Sequence, residues 1–359
     1  MFPIFKKIFS PSAYLAVDIG TASLKLALIK HDNKTKPQFL NYGYLESFEY
    51  LERNNAAFQT STLRLGEQEI ANYIKALMKE SQINSCPAIA SLPSFSTFTT
   101  LMEVPAISDA EISQSITLQA RQYIPIPIED AVLDWVKVGE RTEEDGTKKT
   151  QLFLISVPKD IIEKYRKIFK LANLELKYLE IEGLSLARAL TNSSTPSSLI
   201  IDIGSRSSVI IVAENGFPKF INQTDFAGGS LTSAVATSLG LASRRAEEIK
   251  RRKGLTSSGG EYELFTVLQP MLDVIINESI RVKKNYENTY KSTIKQVALS
   301  GGGANLPGIL EYFSRELGLP TKKAAPFDSV NYPEAMQSFI EDLGPFFSVA
   351  IGLGLKSFK

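Results

Sequence analysis

Two short segments carry residue types that could hold phosphate and a metal ion. Within residues 14–30 the apolar run Tyr14-Leu15-Ala16-Val17 breaks at Asp18-Ile19-Gly20-Thr21 and resumes at Leu24. That pattern predicts two antiparallel strands joined by a tight loop. Such a loop turns backbone N–H groups and the hydroxyls of Thr21 and Ser23 around a phosphate, and Gly20 lets the backbone come close. Asp18, at the end of its strand, suits a metal ion held through water, since Mg²⁺ gives up its waters reluctantly. One Asp-x-Gly is also ordinary turn chemistry. The device is, however, written twice: residues 198–212 read SLIIDIGSRSSVIIV, an apolar run, then Asp202-Ile203-Gly204-Ser205, then a second apolar run. Two matched hairpins imply two related half-molecules, each offering a phosphate loop to a shared cleft, and displace the plain-turn reading.

A third glycine-rich stretch follows a predicted strand at 294–299: Ser300-Gly301-Gly302-Gly303-Ala304-Asn305-Leu306-Pro307-Gly308. Between strand and helix such a loop admits a flat ring or a phosphate to the backbone. It is not a P-loop, because no Lys-Ser/Thr follows, and it is not G-x-G-x-x-G. Asn305 is expected to cap a helix starting at Pro307 and ending at Gly318. Gly228 and Gly229 open a helix that ends at Gly240. Residues 243–253 form a helix capped by Ser243 and closed by Gly254. It carries Glu247, Glu248, Lys250, Arg251 and Arg252, which on spacing alone make a solvated charged face. Residues 179–190 run from strand into helix, with Glu180 and Glu182 at the junction.

The chain that positions these groups has 359 residues, too many for one simple core, so two lobes are expected. Apolar residues are 43% and charged residues 22%, and the formal charge is +1, which excludes a bulk field selecting nucleic acid or an acidic partner. One cysteine, Cys86, excludes an intramolecular disulfide and a cysteine metal cluster and fits a reducing cytosol. Beside Pro87 and an apolar run, Cys86 reads as a structural thiol. The one histidine, His31, lies in a polar turn and reads as solvated, leaving no histidine-rich metal site. No run approaches a membrane span. The N-terminus, MFPIFKKIF, lacks the features of a signal peptide. It sets Phe2, Phe5 and Phe9 at helical spacing beside Lys6 and Lys7, as a membrane-surface anchor would, against the alternative of a frayed or docked tail.

In chain order, 32–64 reads as strand and loop, 67–81 as a helix with Ile70, Ile74, Leu77 and Met78 inward, and 88–93 as a strand. Residues 94–175 read as an inserted α+β unit. A strand at 95–104 is followed by a helix opened by the capping box Ser108–Glu111, with Ile112, Ile116, Ala120 and Tyr123 on one face. A strand pair at 132–138 and 151–157 and a helix at 160–172 complete it. It holds no catalytic cluster and reads as a recognition surface. Residues 261–290 form a long helix kinked at Pro270, and 337–355 a buried closing helix. The expected partition is an N-terminal amphipathic segment, 1–13, and a first lobe of 14–93 with 176–197, onto which 337–359 packs back. Then come the inserted subdomain 94–175 and a second lobe of 198–240 with 294–336, carrying a subdomain at 241–293.

Taken in order, Asp-Ile-Gly-Thr, Asp-Ile-Gly-Ser, Ala-Gly-Gly-Ser-Leu-Thr, Ala-Glu-Glu-Ile-Lys and Gly-Gly-Gly-Ala-Asn resemble the actin, heat-shock ATPase and sugar-kinase superfamily over essentially the whole chain. Within it the chain looks like the PilM family of type IV pilus assembly, relatives of the division protein FtsA. That likeness is carried by Leu101-Met102-Glu103-Val104-Pro105, by Gln122-Tyr123-Ile124-Pro125-Ile126-Pro127, by Val132-Leu133-Asp134 and by 179–190. It implies an α/β, two-lobed actin-like (ribonuclease H-like) ATPase fold with an FtsA-type inserted α+β subdomain, and ATP with Mg²⁺ as cofactors. It assigns Asp18, Gly20, Thr21, Ser23 and Lys25 to the first phosphate loop, and Asp202, Gly204, Ser205 and Ser207 to the second. Asp18 and Asp202 would hold Mg²⁺ through waters. Gly228 and Gly229 would line the nucleotide, Glu247 and Lys250 would reach ribose and base, and Gly301, Gly302, Gly303 and Asn305 would bed the adenosine. Glu182 matches the position that orients the attacking water in filament-forming relatives, which is compatible with hydrolysis. Glu182 also fits a structural role, and PilM-like proteins resemble ATP binders more than turnover engines, so slow hydrolysis or none is expected.

The resemblance further implies a groove between the inserted unit and the first lobe for the cytoplasmic N-terminal peptide of PilN. With it come association with the PilN/PilO inner-membrane complex and the pilus motor platform, self-association, a peripheral place at the inner face of the inner membrane, and no nucleic acid. The alternatives are an FtsA-like division filament, against which the chain shows no linker and C-terminal amphipathic anchor, and a small-molecule kinase, against which the insert shows no aspartate placed as a base.

Overall fold

The computed structural model describes residues 13–32, 35–46, 65–143, 145–256 and 262–356. The expected anchor helix at the N-terminus lies outside the described residues, as do residues 47–64, part of the predicted strand and loop. The elements run β1 (Ala13–Ile19), β2 (Ser23–Asp32), β3 (Thr35–Glu46), α1 (Glu67–Glu80), β4 (Ala88–Leu92), β5 (Phe98–Pro105), α2 (Asp109–Ala120), β6 (Ala131–Thr142), β7 (Lys148–Pro158) and α3 (Lys159–Leu171). Then follow β8 (Leu176–Ile181), α4 (Glu182–Leu190), β9 (Ser198–Ile203), β10 (Ser208–Glu214), β11 (Phe217–Thr224), α5 (Gly228–Leu239), α6 (Ser243–Lys253), α7 (Tyr262–Tyr290), β12 (Gln296–Ser300), α8 (Ile309–Leu317), β13 (Thr321–Lys323) and α9 (Ile340–Gly354).

The duplication predicted from the two hairpins extends to whole sheets. One five-stranded sheet has the order β3-β2-β1-β4-β8 and the other β11-β10-β9-β12-β13. In both, an antiparallel three-strand meander is extended by two strands in parallel. The central strands β1 and β9 are apolar apart from Ser198 and the aspartates near their ends, because both faces are covered. On β1, Leu15 and Val17 face one core while Tyr14 and Ala16 face another.

Three apolar layers result. The outer face of the first sheet packs on α1 and α3, and that of the second sheet on α5, α7 and α8. Between the sheets lie α4 and α9, whose Leu186, Ala187, Phe347, Ala350 and Ile351 join residues of both sheets in one core. The closing helix predicted at 337–355 is thus the inter-sheet layer. It approaches α4 so closely that a Cβ on Gly352 would sit 2.0 Å from the Ser185 carbonyl oxygen.

The inserted unit is a three-stranded antiparallel sheet, β5-β7-β6. Its central strand is buried on both sides: Leu152 and Leu154 face α2, while Phe153, Ile155 and Val157 join the core of the first sheet. The capping box forms as predicted, with Ser108 and Glu111 exchanging both bonds.

Several local expectations are corrected. The strand at 95–104 starts later, at Phe98, because Ser94–Ser96 is a single 3-10 turn. The helix after the capping box stops at Ala120, leaving Tyr123 in a turn and 38% exposed. α6 includes Ser243, with Ala242 in the capping position. The helix expected at Pro307 starts at Ile309, because Gly308 takes φ +79, a left-handed turn that no helix start at Pro307 permits. Asn305 lies instead in a 3-10 turn, and its amide nitrogen donates to the Asp342 carbonyl at 2.8 Å. His31 is not solvated either. β2 runs on through it to the end of α9, where its Nε2 meets the Gly354 carbonyl at 2.6 Å.

α9 is tied to the first sheet by a buried carboxylate. Glu180 accepts from Ser185 Oγ at 2.8 Å, from Arg188 at 2.7 and 2.9 Å and from Lys356 at 2.7 Å, while Arg188 also donates to the Gly352 carbonyl at 2.7 Å. Burial alone raises the Glu180 pKa, but Arg188 and then Lys356 outweigh it and hold the carboxyl below its usual range. Such a group stabilises the fold above its unfolded pKa, near 4.5, and that contribution is lost as pH falls through the lowered folded value. Glu180→Gln should lower the unfolding free energy by about 3 kcal/mol at pH 7, measured by urea denaturation followed by circular dichroism.

Candidate functional site

The loops of the two hairpins face each other across a cavity of about 340 Å³. They close identically. Gly20 N–H donates to the Ser23 carbonyl at 2.9 Å, and Gly204 N–H donates to the Ser207 carbonyl at 3.1 Å. From the first loop, Asp18, Gly20, Thr21, Ser23 and Lys25 line the cavity, and from the second Asp202, Gly204, Ser205 and Ser207. The start of α5 brings Gly228, α6 brings Glu247 and Lys250, and the loop after β12 brings Gly301, Gly302, Gly303 and Asn305. Glu182, the first residue of α4, enters at the floor.

Gly229 is the exception among the predicted residues, because it does not line the cavity. Its N–H donates to the Ser205 carbonyl at 2.8 Å, and a Cβ there would meet that oxygen at 2.7 Å. Gly228 N–H likewise donates to the Gly204 carbonyl at 3.0 Å. The first amides of α5 are therefore spent on the second loop, which they press into shape.

The charges are unequal between the half-sites. In the first ladder Asp18 stands opposite Lys25, and their ion pair is 2.8 Å long. The other oxygen of Asp18 accepts from Ser91 Oγ at 2.7 Å. In the second ladder Asp202 stands opposite Val209, so the second loop has no lysine of its own. Burial pushes the Asp202 carboxyl up to about 6, and Asp18 adds to the rise, against a bond with Ser300 and the charge of Lys25. Burial, with Asp18 and Asp202 nearby, pushes Glu182 to about 8, although Ser94 donates its N–H at 3.0 Å and its hydroxyl at 3.1 Å to Oε2. Three carboxylates thus share one close lysine, an excess of negative charge that a bound cation relieves.

No group of three His, Cys, Asp or Glu residues among those described has the geometry of a direct metal cage. The donor set fits an ion that keeps its waters and takes its remaining oxygens from a ligand. Two buried oxygens at the cavity, Ser205 Oγ and Asn305 Oδ1, have no hydrogen-bond partner within the protein. Orphaned polar atoms of this kind are costly unless a ligand or water satisfies them.

The α6 face expected to be solvated is half buried. Lys250 and Glu247 form a buried pair at 2.7 Å, and Lys250 also donates to the Gly228 carbonyl and to Thr232, each at 2.8 Å. Burial pushes the Lys250 ammonium down despite Glu247, while Lys250 outweighs burial and holds Glu247 below its usual range. Arg251 links Glu247, at 2.6 Å, to Glu46 on β3, so it bridges the two sheets across the cleft mouth.

Sequence reasoning missed Tyr44, Glu46, Phe95, Arg251 and Phe346 as cavity residues. They arrive from β3, from the turn after β4, from the charged side of α6 and from α9, none of which has a local phosphate motif. Tyr44 and Phe346 meet edge to face at 5.7 Å and form an apolar wall. Arg206 was legible in principle, since it lies between the two serines of the second loop.

A carboxyl whose folded pKa is raised stabilises the protein fully below its unfolded pKa, and that contribution is lost as pH rises through the folded value. For Glu182 the window runs from near 4.5 to about 8, and for Asp202 from near 3.8 to about 6. The ligand-free protein should therefore lose thermal stability between pH 5 and pH 8, and Glu182→Gln should flatten that decline. Differential scanning fluorimetry across the pH range checks this; an unchanged slope in the variant would falsify the charge assignment.

Comparison with known proteins agrees with this architecture. The sequence profile of the type IV pilus assembly protein PilM matches residues 16–358. A solved PilM–PilN type IV pilus biogenesis complex superposes with a TM-score of 0.80 at 21% identity, covering 96% of this chain and 98% of that one. MreB5 of Spiroplasma citri, solved bound to ADP, superposes with a TM-score of 0.54 at 13% identity, covering 95% and 94%. The cell division protein FtsA of Enterococcus hirae is 21% identical over 363 residues, covering 87% of this chain and 78% of that protein. The fold is the two-lobed actin-like one, and the chain belongs to the PilM family of type IV pilus assembly proteins.

Proposed function

We propose that this protein is a cytoplasmic ATP-binding scaffold of the type IV pilus inner-membrane platform. The observation that carries the reading is the pair of matched loops facing one cavity, with Ser205 Oγ and Asn305 Oδ1 left unsatisfied inside it. The loop amides and the hydroxyls of Thr21, Ser23, Ser205 and Ser207 would receive the phosphates. The glycines at 301–303 would admit the adenosine, with Asn305 and the Glu247–Lys250 pair beside it. Asp18 and Asp202 would hold Mg²⁺ through waters, and the ion would neutralise phosphate charge.

Glu182 would accept a hydrogen bond from an attacking water, a role that needs its carboxylate form. In the ligand-free cleft its pKa near 8 keeps it largely protonated at neutral pH. A bound cation would lower that value, and the phosphate charges would oppose the change. This supports slow hydrolysis and a binding role over rapid turnover.

The inserted unit, 94–175, is proposed as the peptide-binding part, set on a first lobe of 14–93 with 176–197 and opposite a second lobe of 198–240 with 294–336. Supporting this, β6 is an edge strand of the inserted sheet, and Leu118, Tyr123 and Val132 are exposed on that unit. An edge strand and a few apolar side chains suit capture of an extended peptide. The proposed occupant is the N-terminal cytoplasmic peptide of PilN, since a relative of this fold is solved as a PilM–PilN complex. Through that peptide the protein would join the PilN/PilO complex and the motor platform. Among the described residues no helix is long and apolar enough to cross a membrane, so attachment would run through this partner or through residues 1–9.

Asp202→Ala should weaken Mg-ATP binding by at least about 100-fold in a labelled-nucleotide titration, with an unchanged circular dichroism spectrum. Retained affinity would remove the two-loop reading. A labelled N-terminal PilN peptide from the same genome should bind saturably, with an affinity that shifts when Mg-ATP is added. Absence of binding in both states would sink the partner assignment while leaving the nucleotide site intact.

A further inference from the structure

The short turn at Ser94–Ser96 is the covalent entry into the inserted sheet, and it is fastened to the cleft at two points. Ser94 gives both its N–H and its hydroxyl to Oε2 of Glu182. The ring of Phe95 lies under the guanidinium of Arg206, with 4.0 Å from Cζ to the ring centroid. Arg206 belongs to the second phosphate loop, between the two serines that face the cavity, and both it and Phe95 line that cavity. The turn itself is stiff. Ser96 is buried and its hydroxyl donates to the Pro93 carbonyl at 2.9 Å, while Thr97 N–H donates to Ser94 at 3.1 Å. β5 begins at Phe98 and pairs along its whole length with β7, the central strand of the insert. A displacement of Phe95 is therefore passed to the sheet without a flexible joint between them.

We propose that the Arg206–Phe95 stack is the element through which occupancy of the phosphate site is reported to the inserted subdomain. This rests on the reading of the cleft as a polyphosphate site. A cation over an aromatic ring at a part-exposed site is held weakly compared with one bonded to a phosphate oxygen. A polyphosphate entering the second loop offers Arg206 that stronger partner within the same cavity. Arg206 then turns from the ring to the phosphate, and the turn loses one of its ties to the cleft while Ser94 keeps its bonds to Glu182. The inserted sheet, still seated on the first-sheet core through Phe153 and Ile155, shifts its inclination within that packing. The coupling is reciprocal: a partner that prefers one inclination alters nucleotide affinity by the same factor.

The nucleotide itself ranks the residues. Phe95 competes with phosphate for Arg206, so Phe95→Leu should bind the fluorescent analogue mant-ATP with Mg²⁺ more tightly than wild type, by up to about tenfold. Arg206→Gln should weaken that binding by about tenfold or more. The decisive readout is amide hydrogen exchange of the intact protein over residues 95–105, with and without saturating Mg-ATPγS. Wild type and Phe95→Tyr, which keeps the ring face, should show a nucleotide-dependent change of about threefold or more in that segment. Phe95→Leu should show less than half of it while still binding nucleotide. A wild-type response in Phe95→Leu, or unaltered affinity in Arg206→Gln, would overturn the inference and leave the nucleotide site standing. If wild type binds neither analogue, the reading of the cleft fails first and this inference with it.

Discussion

Asp18 sits at the floor of the cleft against Lys25, while Asp202, its counterpart in the second half, faces Val209. That inequality sets the electrostatics of the whole site. A symmetric pair of aspartates with a lysine each would be close to neutral and would have little use for a cation. With a single lysine and Glu182 added, the carboxyls of Asp202 and Glu182 are pushed toward their neutral forms by burial, with Asp18 raising both and Asp202 adding to the rise at Glu182. The ligand-free cleft thus carries a cost that a bound cation would relieve.

The same cleft depends on a mechanical arrangement made elsewhere. The two sheets do not touch face to face; α4 and α9 lie between them and supply one core shared by both. Glu182 begins α4, and α4 is locked to α9 by Glu180, Arg188 and the missing side chain at Gly352. Glu182 therefore rides on the layer between the two sheets. The Arg251–Glu46 bridge and the Arg206–Phe95 stack are among the contacts that an opening of the cleft would break.

The inserted unit is held from two sides. Its inner face shares the core of the first sheet through Phe153 and Ile155, and Lys219 of β11 reaches it from the second sheet by donating to the Val138 carbonyl. A unit held in this way feels the relative position of both lobes, and under the proposed function that would let nucleotide and peptide sense one another.

Local chemistry made the duplicated hairpins, the capping box at Ser108, the glycine-opened α5 and the buried closing helix legible, because each is specified within one or two turns of chain. Nearly all the predicted cavity residues came together for the same reason: they lie on loops whose closure is set by their own glycines and hydroxyls. Misreadings arose where a distant partner decided. Gly229 was expected at the ligand but spends its amide on Ser205, a contact between segments that sequence does not align. His31 looked solvated until α9 brought the Gly354 carbonyl to it. Asn305 was read as a helix cap, whereas the left-handed turn at Gly308 delays the helix and leaves the side chain for Asp342. Likewise Tyr44, Phe346, Glu46 and Phe95 carry no motif and acquire their place only when β3, α9 and the turn after β4 converge. The amino-acid order by itself determined the two matched glycine loops and the half-molecules they belong to, since turn geometry is local. Only the tertiary structure decided which aspartate keeps a lysine, what bridges the cleft and how the insert is attached, because those depend on side chains meeting across long stretches of chain.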